Sequence, residues 1–507
     1  MKVFLVVPPE LYFIEAYNTK KVDQKREFRQ KLGIMAVAGY LREVGGIIPR
    51  IIDSLADGLS LEDLREIFKK EQPDIVGFSV LTFNILDCLD VVSIINEVSP
   101  ATKVCFGGFH ATIQPLETLT LPGVDFIVIG EGEITFTELV LFLKDSPLEK
   151  PKKLDNLKEL NGKTNNKTRT KLDLAGSTAE KKEGFAAIDG LGWIDKNGNP
   201  ILNTPRKAVA KLDTFPYPAH DLINLEKYSL VLAEESIVAS IQTSRGCPSK
   251  CTFCDMRLTK YRYRSAEHVL AEIQFLKGLG VKEFFILDDT FTINKNRLYK
   301  LCNLMIQNGV DIKYKISSRV DKVDQELLDL LAASGCYRIH YGIETGSQRL
   351  LDYLEKGVTV QQNIDAIKMT KKAGIETLAY MMIGIPTETK EEIQETIEFV
   401  DKLQPDRVNY SICTPFPKTK LYQMALENDP TMEDYWTEFA KNPDPNFKIR
   451  TLNEYLTKKE LRDIQDKALR RFYFSPRRLA REIYHTRSFN QLALKAKVGL
   501  RFLLPRN

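Results

Sequence analysis

Three cysteines are the strongest chemical signal in the chain. Cys247, Cys251 and Cys254 lie in the segment SRGCPSKCTFC with the spacing CxxxCxxC. Thiolates are the usual ligands of iron–sulfur cubanes, and a loop this short can bring three of them to three corners of one cube. The fourth iron then has no protein ligand. The spacing therefore predicts a [4Fe–4S] cluster with one open coordination site.

A structural zinc site is the alternative for cysteines of this kind. It needs a fourth ligand, usually from a second CxxC or a histidine pair. The sequence near the three cysteines contains no such partner, so we favour the cluster. The chain has eight cysteines, of which three are clustered and five are scattered. This distribution does not suit a disulfide framework and predicts a reducing, cytoplasmic environment.

The first 145 residues alternate apolar runs with amphipathic stretches. The near-continuous apolar runs are typical of parallel strands covered on both faces. The pattern predicts a doubly wound, Rossmann-like domain over residues 1–145, with its ligand crevice at the carboxyl ends of the strands. The predicted strands are Val3–Val7, Ile47–Ile52, Ile75–Val80, Lys103–Phe106 and Phe126–Ile129.

Residues 146–182 are polar and charged, which predicts a flexible linker or insertion. After them, GWIDKNGNPI predicts a hairpin with Asn197 and Gly198 at its turn. The alternation of strands and helices then resumes from Ile237. Six such units predict an open, partial (β/α)6 barrel within residues 183–425, with its chemistry at the carboxyl-end rim. The remaining residues, 426–507, are predicted to be helical and basic. The predicted barrel strands are 237–243, 283–287, 312–317, 337–342, 377–383 and 407–412.

Composition narrows the choice of partners. The net charge is +4, from 72 basic and 68 acidic residues, and gives no argument for a nucleic-acid partner. No apolar stretch reaches the roughly 18 residues that a membrane span needs. The opening MKVFLVVPPE is interrupted by Pro8, Pro9 and Glu10, which predicts a first strand and not a signal peptide.

The cysteine motif, with Phe253 just before the last cysteine and a βα barrel after it, resembles the radical S-adenosylmethionine (SAM) superfamily. The resemblance implies that SAM chelates the open iron and that the reduced cluster cleaves it to a 5′-deoxyadenosyl radical. The segments LDDTF, SSR, YGIET and MIGIPTET follow in the order that this family shows. A structural ion pair between Arg319 and Glu344 is the alternative for those two residues. The SAM contacts that the resemblance implies are Phe253, Arg319, Glu344, Ile385 and Pro386.

The N-terminal domain carries GGxHxT and DFxxxGEGE before this barrel. The pairing resembles the cobalamin-binding radical SAM enzymes, which include the anaerobic magnesium-protoporphyrin monomethyl ester cyclase, hopanoid-modifying enzymes and class B methyltransferases. Many cobalamin proteins present an axial histidine in a DxHxxG loop, but here Leu55 takes its place. Leucine cannot ligate cobalt. The cobalamin contacts that we infer are Ser79, Thr82, Gly107, Gly108, His110 and Glu131.

These resemblances imply three cofactors: a [4Fe–4S] cluster, SAM and cobalamin. The leading functional prediction is transfer of a methyl group, via methylcobalamin, to an unactivated carbon of a small or lipid-like substrate. A non-methylating oxidative cyclisation is the alternative reaction, and a cobalamin sensor without catalysis is the alternative class. The implied electron donor is a flavodoxin or ferredoxin. The basic stretch Arg470–Arg506 suggests peripheral membrane contact or, equally, a solvated helix face packed on the barrel.

Overall fold

The fold is described from a computed structural model of the chain. The predicted linker at residues 146–182 and most of the basic C-terminal stretch lie outside the described residues. The structure describes residues 1–12, 29–145, 184–228, 237–429, 431–476 and 478–479.

Seven strands form the N-terminal sheet. They are β1 (Val3–Val7), β2 (Arg50–Asp53), β3 (Ile75–Ser79), β4 (Lys103–Gly107), β5 (Phe126–Val128), β6 (Leu191–Ile194) and β7 (Pro200–Leu202). Their order across the sheet is β2-β1-β3-β4-β5-β6-β7. The first five run parallel. All of β1 is buried, as its continuous apolar sequence predicts.

Helices cover both faces of this sheet, so the predicted doubly wound fold is confirmed. On one face Ile34 and Phe136 pack with Leu5, and on the other Phe68 packs with Val6. The helices are α1 (Leu32–Glu43), α2 (Ser54–Asp57), α3 (Leu61–Glu71), α4 (Ile85–Val98), α5 (Phe109–Ile113), α6 (Pro115–Leu119) and α7 (Gly132–Asp145).

The predicted hairpin is present but belongs to the N-terminal sheet. β6 pairs antiparallel with both β5 and β7. Gly198 has a φ of 86°, which the tight turn requires, and the Asp195 carboxylate accepts the Asn199 N–H at 2.8 Å. The first sheet therefore continues past the predicted limit at residue 145. The difference arises because the hairpin covers the otherwise open edge of β5.

The second sheet is a partial barrel of six parallel strands, as predicted. Its strands, in spatial order, are β8 (Val238–Ile241), β11 (Glu283–Ile286), β12 (Lys313–Ser318), β13 (Cys336–Glu344), β14 (Glu376–Ile383) and β15 (Arg407–Ile412). A short antiparallel pair, β9 (Ser244–Arg245) and β10 (Arg262–Tyr263), follows β8.

The helices between these strands pack their apolar faces on the outside of the barrel. Their starts are capped by side chains; the Thr389 hydroxyl, for example, accepts the Glu392 N–H at 3.3 Å. The helices are α8 (Ala266–Gly278), α9 (Lys295–Gln307), α10 (Gln325–Ala333), α11 (Gln348–Tyr353), α12 (Val360–Lys372) and α13 (Lys390–Leu403).

The segment 212–222, which contains two short 3₁₀ helices, lies between the two domains. The Ala219 N–H donates to the Met35 carbonyl of α1 at 3.0 Å, and Asp221 pairs with Arg42 at 2.7 Å. On the barrel side, Asp213 accepts the Ser265 N–H at 2.8 Å. This segment therefore fixes α1 against the start of α8.

The described C-terminal residues pack against both domains. Helices α14 (Lys420–Asn428) and α15 (Tyr435–Lys441) place Tyr422 and Trp436 in the core of the N-terminal domain. Helix α16 (Lys458–Tyr473) packs Leu461 and Phe472 on the barrel. Among the described residues, no helix has the length and apolarity to cross a membrane.

We expect Gly39→Ala to weaken the contact between α1 and the segment 212–222. A Cβ at this position would lie 2.3 Å from the Tyr217 carbonyl oxygen, so backbone must move. The cost of such overpacking is about 1–3 kcal/mol. Gly33→Ala, on the same helix, is the matched control, because its Cβ would meet only Ser79 Oγ at 3.9 Å. Thermal unfolding of both variants tests this, and equal melting temperatures would contradict it.

Candidate active site

The cysteine loop begins directly after β9. Gly246 has a φ of 85°, and a Cβ there would lie 2.8 Å from the Lys260 carbonyl oxygen. Only glycine therefore lets the chain turn from β9 into Cys247 beside β10. Cys251 is buried, and Cys247 and Cys254 are half-buried.

A buried carboxylate holds the start of this loop. Asp288, just beyond β11, accepts the backbone N–H groups of Thr243 and Ser244 at 2.6 and 3.0 Å. It also accepts both of their hydroxyls, at 2.5 and 2.7 Å. The Arg297 guanidinium lies 3.8 Å away and balances its charge. The LDDTF segment was identified from sequence, but this role of Asp288 was not, because its partners lie 45 residues away.

Arg319 lies beside the second cysteine. Its guanidinium donates to Cys251 Sγ at 3.7 Å and to the Lys356 carbonyl at 2.6 Å. Its Nε pairs with Asp321 at 2.8 Å. Burial raises the pKa of Cys251, and the charges of Lys356 and Arg319 act against this rise. Because a metal-binding thiol must lose its proton, these cations favour the ligating form.

Glu344 ends β13 with a φ of 68° and pairs with Lys356 Nζ at 2.6 Å. The same ammonium lies 5.8 Å from the centre of the Phe253 ring. Gly342 makes room for the pair, since a Cβ there would lie 2.5 Å from the Glu344 carboxylate. Arg319 and Glu344 therefore do not form the ion pair that was the alternative to SAM contact, since each has another partner. The sequence analysis did not identify Lys356. The available signal was its position, because it closely follows the short helix after β13, on the barrel rim.

Ile385 and Pro386 are buried on the same rim. Ile385 packs with Leu350, Leu354 and the half-buried Phe253. The loop is held by Glu388, whose carboxylate accepts the Gly384 and Ile385 N–H groups at 2.5 and 3.0 Å. The other carboxylate oxygen of Glu388 has no hydrogen-bond partner. Burial raises the pKa of Glu388 to about 8.

The three thiols do not form a site for one metal ion. In the described residues, no group of three or more His, Cys, Asp or Glu side chains is placed to hold one. A cubane needs no such convergence, because each thiolate ligates a different iron. Two cations, Arg319 and Lys356, lie near the loop to balance thiolate charge. The donor set therefore fits a [4Fe–4S] cluster and not a four-ligand zinc site.

A cavity of about 280 Å³ lies at the carboxyl ends of β1, β3, β4 and β5. Four of the six residues predicted to contact cobalamin line it. Six of its lining residues are glycines, so bare backbone can approach a bulky ligand closely. Phe215 of the connecting segment and Gln242 and Arg245 of the second domain complete its wall. The predicted lining residues are Ser79, Gly107, Gly108 and Glu131, and the glycines are Gly33, Gly77, Gly107, Gly108, Gly130 and Gly132.

The other two predicted contacts lie apart from this cavity. Thr82 Oγ1 and His110 Nδ1 are 3.0 Å apart, and both side chains are buried. Burial lowers the pKa of His110 to about 4, so the imidazole is neutral near pH 7. Leu55 packs at the edge of the apolar core around α1 and α7. The position of an axial histidine is therefore occupied by core packing.

Models of known protein families match both domains. A model of the Radical SAM superfamily matches residues 241–400, and a model of the B12 binding domain matches residues 28–140. An uncharacterized methyltransferase of Pyrococcus horikoshii is 32% identical, with 96% of each chain covered. The anaerobic magnesium-protoporphyrin IX monomethyl ester cyclase of Cereibacter sphaeroides is 31% identical, over 79% of this chain and 60% of the cyclase.

Two solved structures share the fold. The cobalamin-dependent SAM radical enzyme OxsB, with aqua-cobalamin and SAM bound, has a TM-score of 0.66 at 19% identity and covers 92% of this chain and 65% of its own. The radical SAM methyltransferase TsrM of Kitasatospora setae has a TM-score of 0.62 at 18% identity, with 84% and 76% covered.

The chain belongs to the radical SAM enzymes that carry a B12-binding domain. Its cofactors are accordingly a [4Fe–4S] cluster, SAM and cobalamin. The predictions of fold, family and cofactors are confirmed. The individual SAM and cobalamin contacts remain predictions.

We expect Asp288→Asn to loosen the cysteine loop. The amide nitrogen cannot accept the hydrogen bonds that one carboxylate oxygen now accepts, which leaves buried donors of Thr243 and Ser244 unsatisfied. Retention of iron against a chelator should fall about tenfold or more, with unchanged circular dichroism. Asp311→Asn, at an exposed position, is the control. Equal iron retention in the two variants would refute this role.

Glu388 should make stability pH-dependent. The folded chain holds this proton up to about pH 8, whereas an unfolded glutamate loses it near pH 4.3. Unfolding therefore releases a proton between pH 5 and 8. As the pH rises through this range, the free energy of unfolding falls by about 1.4 kcal/mol per pH unit. Glu388→Gln removes this slope in urea unfolding at pH 5.5, 6.5 and 7.5.

Glu392→Gln is the control for that experiment. Its hydrogen bond from Arg349 lowers the pKa of Glu392, so its contribution is lost only on acidification below the ordinary carboxyl range. The variant should keep the wild-type slope. Parallel pH profiles for wild type and Glu388→Gln would show that Glu388 is ionised in the folded chain.

Proposed function

We propose that this enzyme transfers a methyl group from SAM, through cobalamin, to an unactivated carbon of a small or lipid-like substrate. One observation carries the proposal. The glycine-lined cavity of the B12-binding domain is completed by Gln242 and Arg245, and Arg245 lies two residues before Cys247. A corrinoid in this cavity would therefore lie next to the cluster loop.

When bound, the cluster and SAM supply a hydrogen-abstracting radical, and cobalamin supplies a transferable methyl group. The chain holds and orients these groups. Cys247, Cys251 and Cys254 would ligate three irons. The carboxylate of Glu344 and the ammonium of Lys356 would meet the charged end of SAM, while Ile385 and Pro386 would offer an apolar wall to its adenine.

The relatives support methyl transfer. Besides the methyltransferase of Pyrococcus horikoshii, the cytidylyl-2-hydroxyethylphosphonate methyltransferase of Streptomyces wedmorensis is 26% identical over 407 residues. The identity to the cyclase, 31% over 408 residues, favours oxidative cyclisation as the second candidate. A sensor without catalysis has no use for a cluster with an open iron.

We infer that a small reduced flavodoxin or ferredoxin supplies the electrons, and that the enzyme works in the cytoplasm. Peripheral membrane contact through Arg470–Arg506 has less support within the described residues. Arg471 pairs with Asp401 of α13 at 2.6 Å, and the Arg478 guanidinium lies 3.4 Å from the centre of the Phe472 ring. These two basic side chains face the barrel.

The test begins with protein purified without oxygen from cobalamin-fed cells. We expect about four irons per chain and near-stoichiometric corrinoid with a base-off spectrum. With a reductant and SAM labelled in its methyl group, S-adenosylhomocysteine should form and the extracted corrinoid should carry the label. Absence of both, in fully loaded protein, would rule out methyl transfer and favour cyclisation. Four irons without corrinoid would mean that the first domain serves another role.

Cys251→Ala should lose bound iron and all formation of 5′-deoxyadenosine. The matched control is Cys88→Ala, because Cys88 is a buried core thiol of the N-terminal domain. The control should keep its iron and at least half of its turnover. Full 5′-deoxyadenosine formation by Cys251→Ala, measured by mass spectrometry, would overturn the assignment of the cluster ligands.

A further inference from the structure

Four charged side chains join the cobalamin cavity to the cysteine loop. Two glutamates follow β5, and two arginines lie in the β9–β10 pair. Arg245 contacts Glu131 at 3.2 Å and Glu133 at 2.5 Å. The two terminal guanidinium nitrogens of Arg262 each donate an N–H hydrogen bond to the Glu131 carboxylate, one of them at 3.1 Å. We call this group the interdomain ion cluster.

The ion cluster is largely withdrawn from water. The side chains of Arg262 and Glu133 are 4% and 6% exposed, and those of Arg245 and Glu131 are 19% and 26% exposed. Screening by salt is weak for such partly buried pairs. Because the contact between Arg262 and Glu131 is bidentate, it restricts both the distance and the relative orientation of the two side chains. The ion cluster can therefore hold two backbone segments in one relative position.

Each end of the ion cluster is attached to a functional element. Glu131 lines the cavity between Gly130 and Gly132. Arg245 is followed by Gly246 and Cys247. Arg262 lies opposite Arg245 in the backbone pairing of β9 with β10. Arg262 also donates to the Val209 carbonyl at 2.7 Å. The ion cluster therefore links the cavity wall to the strand that leads into the first cluster ligand.

We propose that Arg262 is a positioning residue that sets the distance and orientation between the corrinoid and the iron–sulfur cluster. The inference rests on the proposed function for its purpose, because a radical on the substrate must meet the methyl group within a small distance. Misplacement by about 1 Å can cost a factor of 100 in rate. Glu131 acts through Arg262 and Arg245, as the anchor of the cavity wall.

The test measures the geometry without needing a substrate. In the holoenzyme, reduced cluster and cob(II)alamin each carry one unpaired electron, and pulsed electron paramagnetic resonance reports the coupling between them. Wild type should give one narrow coupling.

Arg262→Gln should bind the same iron and corrinoid but give a weaker or broadened coupling. Arg262→Lys, which keeps the charge and loses the bidentate contact, should be intermediate. Arg471→Gln, an exposed ion pair on the barrel surface, is the control and should match wild type.

A second readout is the ratio of 5′-deoxyadenosine to methylated product, once a substrate is known. It should rise about tenfold in Arg262→Gln, since radical formation continues while methyl transfer slows. An unchanged coupling in whichever Arg262 variant holds both cofactors would overturn the proposal. So would selective loss of corrinoid in both variants, which would make Arg262 part of the binding site. Absence of methyl transfer in wild type would defeat the proposed function alone, because the coupling is measured independently.

Discussion

The active site depends on one buried carboxylate. Asp288 takes four hydrogen bonds from Thr243 and Ser244, so the end of β11 determines where the chain leaves β8. The cysteine loop has little regular structure of its own, and three thiols reach one cluster only if the loop starts in one place. The Asp288 carboxylate has no access to water, and the nearby guanidinium of Arg297 offsets the cost of burying its negative charge. The sheet therefore fixes the position at which the irregular cysteine loop begins.

The cavity lies where the carboxyl ends of β1, β3, β4 and β5 face residues that follow the carboxyl end of β8. In an open parallel sheet this edge is where ligands bind, so the junction places the two cofactor sites side by side. The segment 212–222 and the ion pairs of Arg245 maintain that junction from different sides. Neither domain alone forms the complete cavity, since Gln242 and Arg245 line it from the second domain. The cavity is therefore a property of the junction.

Sequence analysis succeeded where information is local. Apolar runs located the strands to within a few residues, and the cysteine spacing identified the cluster. It failed for contacts between distant segments: the pairing of Glu344 with Lys356, the bonds of Asp288, and the addition of the hairpin to β5. His110 shares a motif with the cavity glycines, yet its side chain turns under the loop toward Thr82. A motif shows that a loop is present, but the direction of each side chain depends on the packing beneath it.

The core of the N-terminal domain is completed by the far end of the chain. Tyr422, Tyr435, Trp436 and Ile449 belong to the same buried apolar cluster as residues of β1, β3 and α4. At a synthesis rate of ~20 residues per second these side chains leave the ribosome ~15 s after β5. Until then, the nascent domain presents an uncovered apolar face. The core of the N-terminal domain is therefore complete only after the barrel has been made, and a fragment that ends before residue 420 would be prone to aggregate.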